Sequence, residues 1–308
     1  MGIISIKINE KYSLKGNHYS SEDTKANLLI ITGMDEHSER YEGFAKILNK
    51  EGIDVYVLDH FGQGLNCLDH KDIQKSPHDA WNMTLEAINI EVKELRKFGL
   101  PVYLLGHSMG SFFAQSYLEH YPNTVDKVII MGSNGPRKAL LSTANFLSKL
   151  TTTKSNWDKP SKFMQNMALG AYSKDIKNSK TSTDWLSYNE ANVAKYNADP
   201  YCGQVNTCGF YHEFFYGMNT LYKGKLLKNI SPEEDILIVS GEEDPVGDEG
   251  KGPKKLYSMY LKRGVKKVKL ILYPHMRHEI LNETGNEKPI EDIKEFLLNN
   301  SFPTHRTI

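Results

Sequence analysis

Residues Gly106-His107-Ser108-Met109-Gly110 place a serine between two glycines in the pattern G-x-S-x-G. In the elbow that this pattern describes, a sharp strand-to-helix turn exposes the serine hydroxyl at the carboxyl edge of a sheet. Such a hydroxyl can attack a carbonyl carbon and carry the acyl group until water releases it. The residue types follow from sterics. The turn strains the serine backbone, and the glycines two positions either side leave room for the adjoining strand and helix. The helix N-terminus behind the serine favours developing negative charge. A five-residue match also arises by chance, as a glycine-rich turn with a capping serine, so the flanks matter. Val102 to Leu105 reads as a short buried strand introduced by Gly99 and Pro101, and Gly106 is expected to open the turn. From Met109 onward, Phe112, Phe113, Leu118 and Tyr121 recur at helical spacing, which is the context the motif requires.

A serine needs a base to take its proton, and the base needs a third group to orient it. With the serine first, the expected chain order is acid, then histidine. His275, His278 and His305 lie beyond the later strands. His305 falls in the tail, whereas His275 and His278 both follow the last strand; His278, farther into the loop, is preferred. His107, inside the elbow, is expected to point away from the serine. For the acid, the loop after Ile238-Val239 carries Glu242, Glu243 and Asp244, and Asp244 is held ahead of Pro245. The loop after Val128–Met131 holds Gly132-Ser133-Asn134 and no carboxylate, which favours Asp244. An oxyanion needs two backbone N–H donors: Met109, directly after the serine, and Met34, following Gly33 at the end of an earlier strand.

The elements that must position these residues follow from periodicity. Ile3–Ile8 alternates as a half-buried antiparallel strand, with residues 11–20 as its hairpin partner. Leu28–Ile31, Ile53–Leu58, Val128–Met131, Ile236–Val239 and Val268–Leu272 are runs typical of strands buried on both faces. Helical spacing separates them at Tyr41–Lys50, after Pro77 through Leu95, near 252–263 and over 289–299. This alternation specifies an α/β fold with a mostly parallel central sheet and helices on both faces. From Gly132 to Asn229 the pattern turns polar, aromatic and helical, including Trp157, Trp185 and Phe210 to Tyr216. It reads as a cap inserted after the sixth strand, over the ligand-binding edge. The expected division is 1–132 as the first part of the core, 133–229 as the helical cap, and 230–308 as the second part carrying the acid and histidine.

The 38 basic and 38 acidic side chains balance, so no global field draws this chain to nucleic acid or to anionic membranes. Cys67, Cys202 and Cys208 are few and odd in number, which suits free thiols in a reducing compartment. No run approaches the ~18 apolar residues of a membrane span, and the N-terminus lacks the pattern of a signal peptide. A cytoplasmic location is expected. The sequence calls for no cofactor and no metal.

The motifs taken together resemble the monoacylglycerol lipase and lysophospholipase branch of the α/β-hydrolases, which is grouped with the S33 serine aminopeptidases. Gly33-Met34-Asp35-Glu36-His37-Ser38-Glu39-Arg40-Tyr41 is similar to that branch's H-G-x-x-E-H-S-x-R-Y segment, and Asp59 to Gly64 to its D-H-x-G-H-G. Gly106 to Gly110, Asp244 and Arg277-His278-Glu279 fall at its elbow, acid and histidine positions. Asp199 to Gly203, Gly209 to Tyr211, and His278 to Glu283 are similar to bacterial members. Thr32 and Gln63 depart from it, each standing where the branch has histidine. The resemblance implies the α/β-hydrolase fold and a serine hydrolase acting on esters with one acyl chain, such as a monoacylglycerol or lysophospholipid. Ser108 would be nucleophile, His278 base and Asp244 acid, with the amides of Met34 and Met109 holding the oxyanion. Transient membrane-surface contact would fall to the cap. Two alternatives stay open: an aminopeptidase with Glu190, Asp199 or Glu213 holding the substrate amine, and a catalytically silent binding protein on the same fold.

Overall fold

Each residue of β3 (Ala26–Ile31), β4 (Ile53–Leu58) and β5 (Val102–His107) is buried, because apolar side chains leave both faces of the sheet. With β1 (Gly2–Lys7), β2 (Ser13–Tyr19), β6 (Lys127–Met131), β7 (Asp235–Gly241) and β8 (Lys267–Tyr273) they form one sheet, ordered β1-β2-β4-β3-β5-β6-β7-β8. The strands from β4 to β8 run parallel; β1 and β2 form an antiparallel hairpin on the edge. The computed structural model describes residues 1–67, 69, 72–174, 176 and 179–299.

Successive strand residues feed opposite layers, as a period of two requires. Leu29, Ile31, Leu104, Ile130 and Ile238 join the core that buries α2 (Ala80–Arg96), α3 (Met109–His120) and α9 (Lys251–Lys262). Leu28, Ile30, Leu105, Ile129 and Val239 face the other way, against α1 (Glu42–Asn49) and α10 (Glu287–Leu298). The final helix starts two residues before the expected Pro289, since proline is tolerated in a first helical turn. On the edge strand only Ile6 is fully buried and Ile3 is exposed.

Between β6 and β7 lie α4 (Lys138–Thr151), α5 (Lys162–Leu169), α6 (Glu190–Ala198), α7 (Cys208–Thr220) and the short α8 (Gly224–Leu227). Among the described residues the one β pairing in this segment is a bridge between Pro160 and Thr207. The aromatic run falls on α7, which packs on α4 and buries Phe210, Tyr211, Phe215 and Met218.

The strand order reverses at β3, which has β4 on one side and β5 on the other. Chain connections leave such a switch point in opposite directions and open a crevice at the carboxyl ends of the two strands. The loop of Gly33 and Met34 and the elbow of Ser108 face each other across it. No described helix is long and apolar enough to cross a membrane.

Candidate active site

Ser108 has φ 52° and ψ −117°. A non-glycine residue in such a region costs about 1–3 kcal/mol and persists only where its surroundings impose it. Here the Ser108 N–H donates to the Met131 carbonyl at 3.0 Å. A Cβ on Gly106 would run into the Gly110 carbonyl, and one on Gly110 into the Ile31 carbonyl. Both glycines are therefore required by close packing. Gly106 does not open the turn as expected: it remains in β5, paired with Ile31 and Ile130, and the chain reverses two residues later at Ser108. The reason is that Gly106 supplies space for the returning helix, while the positive φ falls on the serine.

Met109 is the first residue of α3, and the first amides of a helix have no acceptor within it. Gly33 comes so near the elbow that a Cβ there would lie 3.1 Å from that of Ser108. Met34, Ser108, Met109 and His278 line one cavity of about 200 Å³. The structure thus gathers the serine, the histidine and the residues of both expected amides.

Asp244 is fully buried just beyond β7, and its two oxygens lie 3.0 and 3.1 Å from His278 Nδ1. A carboxylate only accepts, so Nδ1 carries a proton, and the neutral ring in this tautomer has its lone pair on Nε2. Val246 N–H donates to the same carboxylate at 2.9 Å. The His278 ring is held between His107 and Trp185, with centroids 4.9 and 5.1 Å away. His275 instead is 92% exposed beside Glu243, which also accepts the Tyr188 hydroxyl. His305 lies outside the described residues.

Behind the elbow is a buried charged network that linear reading passed over. Glu36 accepts the Gly33 N–H, the Tyr41 hydroxyl at 2.8 Å, His107 Nδ1 at 2.8 Å and Arg40 at 2.9 Å. Arg40 continues to Glu279 through two bonds of 2.7 Å. Burial works to raise the Glu36 pKa, but the His107 and Arg40 charges outweigh it and hold the carboxyl well below its usual range. Burial likewise would lower His107, and the adjoining Glu36 charge overrides it and raises the imidazole. Two carboxylates, one guanidinium and a protonated imidazole sum to zero, which is how a buried cluster of this size avoids an uncompensated charge. His107 serves this network through Nδ1. The i,i+4 spacing of Glu36 and Arg40 was a visible signal; Glu279, 239 residues from Arg40, gave none.

The two departures from the resembled motifs are absorbed by loop packing. Thr32 donates its hydroxyl to the Leu58 carbonyl at 3.1 Å, and Gln63 donates to Gln74 at 3.0 Å. The three carboxylates of the aminopeptidase alternative lie elsewhere. Glu190 pairs with Lys180 at the surface, Asp199 with His37, and Glu213 stands beside His212. None of them lines the cavity at Ser108, whose walls include Leu141, Ala144, Met167, Phe215 and Met218.

The model of the family described as serine aminopeptidase, S33, matches residues 22–285. The chain belongs to this family. Among curated relatives, the S33 chain is 23% identical over 287 residues to a monoacylglycerol lipase of Mycolicibacterium smegmatis, covering 90% of this chain and 89% of that one. A shorter match, 33% identical over 92 residues, links it to human monoglyceride lipase and covers 29% of each chain. The fold agrees with a thermostable carboxyl esterase from Bacillus coagulans at a TM-score of 0.87, with 23% identity and 96% and 98% of the two chains covered. A monoglyceride lipase from Saccharomyces cerevisiae aligns at 0.72 with 17% identity, covering 96% and 94%. The expected α/β-hydrolase fold, in its monoacylglycerol lipase-like branch, is therefore the fold of this chain.

Proposed function

We propose that this S33 hydrolase cleaves carboxylic esters bearing one acyl chain, of the monoacylglycerol or lysophospholipid class, through an acyl-enzyme on Ser108. The reading rests on one observation above all: His278, held by the buried Asp244, and the strained Ser108 line one cavity whose walls are mostly apolar. His278 Nε2 takes the hydroxyl proton as Ser108 Oγ bonds to the carbonyl carbon. The oxyanion so formed accepts hydrogen bonds from the Met34 and Met109 amides. Collapse breaks the ester bond, and the alcohol leaves with the proton from His278. Water then gives a proton to His278, attacks the acyl carbon, and releases the fatty acid as Ser108 regains its hydrogen. Asp244 holds the imidazole in the tautomer that both half-reactions need.

Residues 133–229 act as the cap in this reading, between the core parts 1–132 and 230–308. Helices α4, α5 and α7 each contribute apolar lining to the cavity, and its small volume favours one chain over two. Leu140, Phe146, Leu150 and Phe163 on α4 and α5 are exposed, which supports transient contact of the cap with a lipid surface. Three free cysteines agree with a cytoplasmic location. An amine substrate would need a cap carboxylate in the cavity, and the arrangement above supplies none of the three considered. A panel of p-nitrophenyl and glycerol esters of graded chain length tests the proposal. Medium or long single chains should be cleaved fastest and Ser108→Ala should be inactive; faster turnover of aminoacyl-arylamides would overturn it.

A further inference from the structure

Where the inserted segment meets the loop that carries Met34, three side chains of different chemistry converge. His37 comes from that loop, while Asp199 and Cys202 stand three residues apart on the turn leaving α6. The His37 ring nitrogen, an Asp199 carboxylate oxygen and Cys202 Sγ all lie within 4.8 Å of one another. We propose that these residues form a binding site for a divalent transition-metal ion of the zinc class, with water completing a four-coordinate shell.

The donor set selects the ion. Imidazole and thiolate suit zinc and its neighbours, whereas magnesium and calcium prefer sites built of oxygen alone. Tetrahedral bonds of the usual lengths put ligand atoms roughly 3.3–3.8 Å apart, so the three donors need move by only about an ångström. His37 Nε2 and Asp199 Oδ2 are already 2.8 Å apart and share a proton that an ion would replace. The turn is organised without the ion. Tyr201 N–H donates to Asp199 Oδ1 at 2.8 Å, Cys202 N–H to the Asp199 carbonyl at 3.1 Å, and Gly203 N–H to the Asp35 carbonyl at 3.2 Å. The first of these orients the carboxylate so that Oδ2 faces His37, as outer partners of metal ligands do.

A histidine–aspartate ion pair alone would account for two of the three residues. It does not account for a buried thiol beside them whose sulfur makes no hydrogen bond among the described residues. Entry from solvent is open on the carboxylate side, where the Asp199 side chain is 28% exposed. Binding forms a metal–sulfur bond, and the Cys202 thiol proton goes to solvent. An ion here would fasten residues 199–203 to the loop bearing Met34. The inference stands on these groups alone and does not depend on the ester reading.

Cobalt(II) alone is the probe, added to chelator-treated full-length protein. The wild type should bind one equivalent, release protons, and develop a thiolate-to-cobalt charge-transfer band in the near ultraviolet. Cys202→Ser should lose the band, and His37→Ala should weaken binding on the order of tenfold or more. The double variant Cys67→Ser, Cys208→Ser keeps Cys202 as its one thiol and should retain the band, which decides the matter even if Cys202→Ser folds poorly. Absence of the band in wild type and double variant, or its survival in Cys202→Ser, overturns the site.

Discussion

At the carboxyl end of the sheet, Asp244, His278, Glu36 and Glu279 are almost wholly buried, and each is held by named partners. In the segment between β6 and β7, Leu140, Phe146, Leu150 and Phe163 are 59%, 65%, 69% and 57% exposed. The first region spends its sequence on polar groups that would be costly to bury unpaired. The second leaves apolar groups in water where a monomer alone has no use for them. The difference separates two tasks. On the proposed reading, reaction geometry belongs to the strand edge and substrate choice to the inserted segment. Variants on the two sides should therefore fail in different ways.

After loss of the nucleophile itself, Asp244→Asn should give the largest effect on turnover. An amide can donate to Nδ1 and favour the wrong imidazole tautomer, so kcat should fall by about 10⁴-fold with the fold retained. A loss below tenfold would remove Asp244 from its role. Glu36→Gln should act on stability. The Gln amide nitrogen would face either Arg40 or the donors Gly33 and Tyr41, and the cluster would lose one buried negative charge, at a cost of about 3 kcal/mol in urea unfolding. It should also change the pH profile. Because the His107 pKa is raised in the native state, its contribution is complete below the unfolded value and is lost as pH rises through the folded one. Glu36→Gln should abolish that alkaline loss, and an unaltered profile would contradict the network.

Asp35 gives a smaller effect. Burial raises its carboxyl from 3.8 to about 7, against a hydrogen bond from Asn206. Between those values the native state keeps a proton that the unfolded chain has lost, so stability falls as pH rises. Asp35→Asn removes this slope and should gain about 2 kcal/mol over wild type between pH 5 and pH 8. Parallel slopes in the two proteins would sink the assignment. Phe146→Ser, on the exposed face of α4, should shift stability by no more than about 0.5 kcal/mol. It should nevertheless slow cleavage of esters presented in vesicles while sparing soluble short-chain esters. Equal loss on both would place Phe146 with the core.

What was legible in the sequence follows the same division. The parallel strands announced themselves as continuous apolar runs because they are buried on both faces, and the elbow because two glycines are forced by backbone contact. Asp244 and His278 could be placed because chain order and strand ends confine them to two short loops. Glu36 with Glu279, and His37 with Asp199, could not be paired by spacing, since they stand 243 and 162 positions apart in the chain. The helices between β6 and β7 were legible as helical, but not the orientation of their apolar faces, which depends on what they pack against.

The central claim is that Ser108 is the nucleophile of this arrangement. Intact-protein and peptide mass spectrometry after brief exposure to a fluorophosphonate tests it directly. The account predicts one adduct per chain, located on Ser108 and absent in both Ser108→Ala and heat-unfolded protein. An unlabelled native protein, or an adduct on another residue with Ser108 unmodified, would contradict it.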